Sequence, residues 1–379
     1  MIDFTFTEEQ EIFRKKVAEF TEKKIKPKVR EMEEKKVALP EVVEALKDEK
    51  LTGIFIPKEY NGLGLGYTER LIALEEIAKV SPGVAMMLQI FGLGIEPILK
   101  FGNDEQKQKY LPGLAVGEKL ATVAVTEATG GSDPTGIKTT YKKEGDFYIL
   151  NGRKIMLTNA PIANTFVVLA KDSENPKAFS TLIIEDTFEG FRRGKEWHEI
   201  GLHGCSVGEI LLENCKVPAS NLLGQEGKGM RVAMSAIGEV GRGGMVGVAL
   251  GIMDTLLKIT VNFSKKRILY GKPISNLQTI QNKIAEMRLD LEIGRLLGYR
   301  ATSIQDKGQR SDLEFAMAKY FTTEAAQKAA KMAVDIQGGY GVTEEAVVTR
   351  FLRDSFVLGP SAGTSDIMKV IIARATIGK

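Results

Sequence analysis

The chain has 379 residues, which at roughly 150 residues per domain predicts two to three domains and rules out a single small module. A hydrophobic share of 43% beside 27% charged residues is that of a protein with full-sized cores, excluding wholesale disorder and fibrous repeats. Its 52 basic and 49 acidic residues leave +3, too slight an excess to indicate DNA, RNA or an anionic membrane as partner.

The longest uncharged apolar stretch, residues 243–253, is far short of the roughly 20 residues that cross a bilayer, so no spanning helix is expected. The start, Met1-Ile2-Asp3-Phe4, lacks the basic, apolar and small-residue regions of a secretory signal, and a cytoplasmic location is the expectation. Two cysteines, Cys205 and Cys215, are too few for a disulfide framework. With His198 and His203 they do not form two pairs at zinc-ligand spacing, so no metal site is expected.

In chain order, residues 7 to about 118 read as helical. Thr7 with Gln10 and Asn103 with Gln106 form capping boxes, and Ile12, Phe13, Val17 and Phe20 suit one buried helix face. The glycines of 61–66 invite a dinucleotide-binding reading, but no strand precedes them and the third comes one place early, so a loop is expected. From Lys119 to about Val217 the pattern becomes short β-rich runs: 121–125, 139–143, 147–150, 165–170 and 179–184. Gly145-Asp146 and Asn151-Gly152 read as tight turns between runs. After a polar, glycine-containing loop at 221–229, helical periodicity resumes to the end. The predicted domains are therefore 1–118 (helical), 119–225 (β) and 226–379 (helical bundle), and such segregation argues against an alternating doubly wound sheet.

Two patches carry chemistry. Residues 124–133 close the first strand and open a glycine-rich loop, where the backbone can approach a ligand and Thr126 and Ser132 offer hydroxyls to phosphate or ring carbonyls; a tight turn with capping side chains is the alternative. Residues 335–342, Asp-Ile-Gln-Gly-Gly-Tyr-Gly-Val, interrupt two helical stretches with more glycines than a plain helix–helix turn needs, which leaves backbone N–H groups to face phosphate.

These two patches, in this order and roughly 200 residues apart, resemble the acyl-CoA dehydrogenase flavoproteins. The resemblance spans the chain, through Phe6 to Gln10, Gly102 to Pro112, Phe263 to Ile274 and Gly363-Thr364-Ser365-Asp366. It implies an α+β fold with an all-α N-terminal domain, a central β-barrel or sandwich domain and a C-terminal four-helix bundle. It also implies FAD between the β domain and the C-terminal helices, with an acyl-CoA thioester against the flavin. Val125, Thr126, Met156, Thr158 and Thr364 match positions at the flavin ring; Ser132 matches a loop position at the ligand. Arg267, Tyr270, Asp335, Gly338 and Gly339 match positions that reach the FAD of a neighbouring subunit, with Gln278 nearby, which implies a homotetramer built as a dimer of dimers. Gln89 matches the floor of the acyl pocket, Arg242 the arginine of the first C-terminal helix, and Glu239 a position facing the CoA arm. A surface pair of Arg242 with Glu239, one turn apart, is the plainer alternative.

The chain departs from the pattern at the base. The family's reaction removes the proton beside the thioester carbonyl with a carboxylate. The usual glutamate position is Ala362 here, and the position used by a minority, just before Arg242, is Gly241. Ala362 keeps the backbone N–H that would polarise the thioester oxygen. A subgroup acting on cyclic acyl-CoAs uses an aspartate on the pocket-floor helix, but residues 86–91 contain none. Met156 stands where tryptophan is common, and Asp335 where glutamine is common, an anion that needs pairing beside FAD phosphates. Trp197 reads as structural. The resemblance thus implies an FAD-dependent dehydrogenase of an unusual or cyclic acyl-CoA, passing electrons to an electron-transfer flavoprotein. The alternatives are an enoyl-CoA reductase, a flavin oxygenase, or a CoA- or flavin-binding subunit without catalysis.

Overall fold

The structure, a computed structural model, describes residues 5–378. Its first helices are α1 (Glu8–Phe20), α2 (Val29–Lys35), α3 (Pro40–Asp48), α4 (Tyr67–Ala78), α5 (Pro82–Phe101) and α6 (Asp104–Ala115). Both expected capping boxes form: Thr7 Oγ1 accepts from the Gln10 N–H at 3.2 Å while Gln10 Oε1 accepts from the Thr7 N–H at 3.1 Å, and Asn103 and Gln106 do the same before α6. Val17 and Phe20 are buried and Phe13 packs on the core, but Ile12 is 62% exposed. Five residues from Val17, it lies about 140° around the helix, outside the stripe. Residues 61–66 form a loop with no strand before it. A Cβ on Gly62 would lie 2.0 Å from the Ile56 carbonyl oxygen, so close backbone approach accounts for that glycine.

The sheet contains β1 (Ala121–Ala124), β2 (Thr140–Glu144), β3 (Phe147–Thr158), β4 (Thr165–Asp172), β5 (Phe179–Glu185), β6 (Phe191–Trp197), β7 (Val207–Pro218) and β8 (Leu222–Leu223). Its order is β6-β7-β3-β2-β4-β5-β8, with β1 and β2 lying end to end along β4 in parallel pairing. Strand alternation divides β4 between two cores. Phe166, Val168 and Ala170 meet Leu150, Ile210 and Leu212 of β3 and β7, so the sheet closes over on itself; Val167 and Leu169 meet Ile95, Ile98 and Tyr110 of the helices.

Two expectations fail here. Asn151-Gly152 is not a turn: β3 runs through it with a register shift, and Asn151 Oδ1 accepts from the Asn214 N–H at 2.8 Å. Strands β6 and β7 escaped the sequence reading because β6 is mostly exposed and charged, and β7 carries charges at Glu209, Glu213 and Lys216. Trp197 on β6 donates its Nε1–H to Glu209 at 2.9 Å.

The final helices are α7 (Gly229–Ala236), α8 (Arg242–Lys266), α9 (Gln278–Asp306), α10 (Asp312–Gln337), α11 (Val347–Leu358) and α12 (Ser365–Ile377), with a small hairpin of β9 (Ile268–Leu269) and β10 (Lys272–Pro273) after α8. Helix α5 and the continuous helical run Gly229–Lys266 are long and apolar enough to span a membrane, contrary to the expectation from the uncharged stretch alone. In each, however, 78% of the apolar window is buried inside the protein, so packing accounts for its composition.

The three blocks meet at a polar junction. His203 Nδ1 lies 3.1 Å from the Glu33 carboxylate and Nε2 lies 3.1 Å from the Glu199 carbonyl oxygen, while Arg353 on α11 pairs with Glu33 at 2.7 Å. Two acceptors favour the imidazolium, and the Glu33 hydrogen bond raises the His203 pKa against the opposing effect of burial. Burial also lifts Glu199 to about 7 and Asp354 to about 6. A group whose folded pKa is raised contributes stability that is complete below its unfolded value and is lost as pH rises through the folded one. For His203 that window opens near 6.5. The stability difference between the wild type and His203→Gln is therefore expected to shrink as pH rises from about 6 to 8, the range in which histidine titrates. Urea unfolding across that range checks it; a difference independent of pH contradicts the assignment.

Candidate functional site

Where β1 ends, the chain turns alongside β3. The Ile155 N–H donates to the Thr126 carbonyl at 3.0 Å and Thr122 Oγ1 donates to the Thr158 carbonyl at 2.9 Å, bringing Val125, Thr126, Met156 and Thr158 onto one patch. Between Lys154 and Leu157 the β3–β7 register shifts, and Met156 in that bulge has φ +55° and is 45% exposed. A bulge re-aims a side chain, and here it turns a methionine outward, where a flat apolar ring can cover it.

Beneath the patch lies an ion pair that the sequence reading missed. Lys154 is fully buried; its Nζ donates to the Val125 carbonyl at 3.0 Å and to Glu127 at 2.8 Å. Glu127 also accepts the N–H groups of Lys138 at 2.6 Å and Thr139 at 3.1 Å, so its carboxylate closes both ends of the glycine-rich loop. Burial lowers the Lys154 pKa to about 8 despite the carboxylate, while Lys154 and the N–H donors outweigh burial at Glu127 and hold its pKa down. Within the loop Ser132 is exposed, and nothing lies within 4 Å of a Cβ placed on Gly131. The available signal was a lysine at a buried register of a strand.

Helix α5 connects this patch to the C-terminal helices. A Cβ on Gly94 would lie 2.6 Å from Ala121 on β1, and one on Gly244 would lie 1.8 Å from Gln89 Oε1, so both glycines permit close packing. Gln89 is fully buried between α5 and α8. Its Nε2 donates to the Gly241 carbonyl at 3.0 Å, and the buried Arg70 guanidinium donates to its Oε1 and, at 3.1 Å, to its carbonyl. Gly241 ends a π-helical turn, Ile237–Gly241, between α7 and α8, a local irregularity that often marks functional positions.

The two positions that the resemblance assigns to the base lie side by side. A Cβ on Gly241 would be 3.5 Å from Ala362 Cβ and 3.5 Å from Leu93 Cδ1, its nearest neighbours beside the Ala236 carbonyl oxygen. Ala362 itself has φ +52° and Gly363 φ +95°, and Thr364 caps α12 by accepting the Ile367 N–H at 3.3 Å. Arg242 and Glu239 do not pair: Arg242 donates to the Asp312 carbonyl at 3.4 Å with its Nε buried and unpartnered, whereas Glu239 pairs with Lys100, which also lies 3.3 Å from Glu96. Burial raises the Glu96 pKa, and Tyr67 donates its hydroxyl to that carboxylate at 2.8 Å.

The remaining residues lie on two other segments. Arg267, Tyr270 (90% exposed) and Gln278 lie at the hairpin and the start of α9; Asp335 is in the last turn of α10, and Gly338 and Gly339 open the short 3₁₀ turn after it. Asp335 is paired with Lys331 at 2.8 Å and lies 3.8 Å from Lys283 on α9, so its charge is compensated. A Cβ on Gly338 or Gly339 would meet nothing within 4 Å, leaving the backbone open to an anion. Among the described residues, no hydrogen bond or ion pair links these residues to the patch at Met156. An outward methionine beside a hydroxyl-bearing strand and an open, charge-compensated glycine turn fit the ring and the phosphates of FAD respectively.

Family models cover nearly all of the chain: acyl-CoA dehydrogenase N-terminal domain at 7–118, middle domain at 122–215 and C-terminal domain at 227–377. An acyl-CoA dehydrogenase of Bacillus subtilis (strain 168) is 38% identical over 98% of this chain and 99% of its own length. A 3-(aryl)acrylate reductase of Clostridium sporogenes is also 38% identical, over 97% and 98% respectively. A chain solved with the electron transferring flavoprotein of Acidaminococcus fermentans as its subject superposes with a TM-score of 0.97 at 35% identity, each chain fully covered. The chain belongs to the acyl-CoA dehydrogenase family, FAD-dependent oxidoreductases that act on the CH–CH bonds of acyl-CoA thioesters.

Proposed function

We propose that this chain reduces an α,β-unsaturated acyl-CoA more readily than it oxidises a saturated one. The observation that carries the reading is the 38% identity to a 3-(aryl)acrylate reductase over nearly the whole chain, together with the adjoining Gly241 and Ala362, where both assigned base positions lack a carboxylate. Bound FAD supplies the hydride donor or acceptor. Val125, Thr126, Met156, Thr158 and Thr364 line its ring, with Ser132 at the edge of the ligand. Arg267, Tyr270, Gln278, Asp335, Gly338 and Gly339 serve the FAD of a second copy, consistent with a dimer of dimers. An electron-transfer flavoprotein is the redox partner, as the subject of the Acidaminococcus structure suggests.

Loss of the base slows proton transfer in both directions alike, so the reductive direction rests on the 3-(aryl)acrylate reductase, 38% identical over 97% of this chain, and on the proton step that each direction needs. Oxidation begins by removing a weakly acidic α-proton, and a positioned base is worth about 10²- to 10⁴-fold in that step. In reduction, once the β-carbon has received hydride, the α-carbon carries the charge of an enolate. Its oxygen is held by the Ala362 N–H, and the carbon is basic enough to take a proton from water. Gln89, pinned by Arg70 and Gly241, closes the pocket floor; Arg242 opens α8 directly after Gly241, with Glu239 held by Lys100 toward the CoA side. Oxidation of an unusual or cyclic acyl-CoA needs a substitute carboxylate. Two carboxylates on α5 and the adjoining π-helical turn, Glu96 and Glu239, are already engaged by Tyr67 and Lys100.

Anaerobic mixing tests this. Reduced enzyme is expected to be reoxidised by an enoyl-CoA, such as an aryl-acryloyl-CoA, faster than oxidised enzyme is bleached by the saturated counterpart at the same concentration. Equal rates would contradict the reductive reading, and no response to any thioester would leave only a binding protein.

A further inference from the structure

The turn carrying Ala362 lies between α11 and α12 and places two successive residues in the left-handed region, Ala362 at φ +52° and Gly363 at +95°. For a non-glycine residue this conformation is unfavourable and persists only when neighbours over-determine it. Lys319 on α10 is such a neighbour. Its side chain is fully buried, and its Nζ donates to the Gly359 carbonyl at 2.6 Å and the Gly363 carbonyl at 2.8 Å. Those two carbonyls bracket residues 360–362. Ser361 Oγ donates to the Val357 carbonyl at 2.8 Å, tying the same turn back to α11.

The charge environment indicates a specific task rather than incidental packing. Burial lowers the Lys319 pKa to about 8, Glu324 opposes that, and Arg242 adds to it. With a pKa of about 8 the amine is still mostly protonated at neutral pH, and its hydrogen bonds go to main-chain oxygens with no carboxylate among them. Such charge-assisted bonds are stronger than neutral ones and polarise the amides they bind.

We propose that Lys319 is a positioning residue for thioester binding: its ammonium fixes the carbonyls on either side of residues 360–362 so that the Ala362 N–H is presented to the thioester oxygen. The inference rests on the reading that a CoA thioester lies at this turn. Lys319 touches neither substrate nor cofactor and acts through the backbone.

A 3-oxoacyl-CoA tests this without turnover and without a base. Its proton between two carbonyls is acidic, and N–H donation to the oxygen favours the enolate, which beside an oxidised flavin gives long-wavelength absorption. With 3-oxobutyryl-CoA at about pH 7, Lys319→Met is expected to lose most of this band and bind about tenfold more weakly, the order expected from loss of a hydrogen bond to a charged group. Its flavin content should be unchanged. Lys319→Arg should restore part of both signals, which a merely space-filling side chain would not do. Should Lys319→Met fail to fold, Lys319→Gln carries the same measurement. Band and affinity within twofold of wild type in a folded variant overturn the proposal. No band in the wild type instead overturns the placement of the thioester, and the proposal with it.

Discussion

Replacing Ala362 with glutamate is expected to raise single-turnover oxidation of a saturated acyl-CoA by about 10²- to 10⁴-fold, the usual worth of a positioned general base. Space for the longer side chain exists because Gly241, whose Cβ would lie 3.5 Å from Ala362 Cβ, has none. The backbone does not oppose the change, since alanine already occupies φ +52° there and glutamate is not β-branched. Gly241→Glu is expected to give a smaller gain, because it departs from a helical turn that also supplies the carbonyl accepting from Gln89. The double variant should not combine the two gains. Two carboxylates in contact cannot both ionise at neutral pH, so one is held protonated and the activity of the pair falls below the sum. Anaerobic bleaching of the flavin band by saturated acyl-CoAs of increasing length gives the three rates. Failure of Ala362→Glu to exceed the wild type with any chain length would show that the acyl pocket has diverged beyond the loss of a base.

The order of helical, β and helical blocks was legible because each is announced by local rules: capping boxes at Thr7 and Asn103, short β-rich apolar runs in β4 and β5, a turn at Gly145. The missed features have physical causes. Charged β6 hides its strand character because one face is solvated, and Asn151-Gly152 mimics a hairpin turn although the chain runs straight through a bulge. The backbone positions of the site were legible from glycine and hydroxyl patterning together with family resemblance. What supports them was not. Lys154, Lys319 and Arg70 are charged residues on buried faces, and a sequence reading assigns lysine and arginine to the surface unless the buried register is noticed. Their partners are main-chain carbonyls and a glutamine or glutamate far away in the chain, so the pairings exist only once the fold brings them together.

Lys154 gives the other large expected effect. Lys154→Met keeps the length of the side chain but leaves Glu127 buried with only the N–H groups of Lys138 and Thr139 as donors. Breaking one side of a buried ion pair typically costs about 3–5 kcal/mol, because the remaining charge is left uncompensated. Here the loss should fall on the loop at 128–137 as well as on global stability, since the same carboxylate closes that loop and Lys154 also holds the Val125 carbonyl next to Thr126. Two readouts follow: urea unfolding at lower denaturant, and a lower flavin-to-protein ratio after gel filtration. Glu127→Gln combined with Lys154→Met removes both charges and should recover stability relative to Lys154→Met alone, while flavin retention stays low because the loop remains untied. If the single variant holds FAD as tightly as the wild type, the buried pair serves the sheet and not the flavin site.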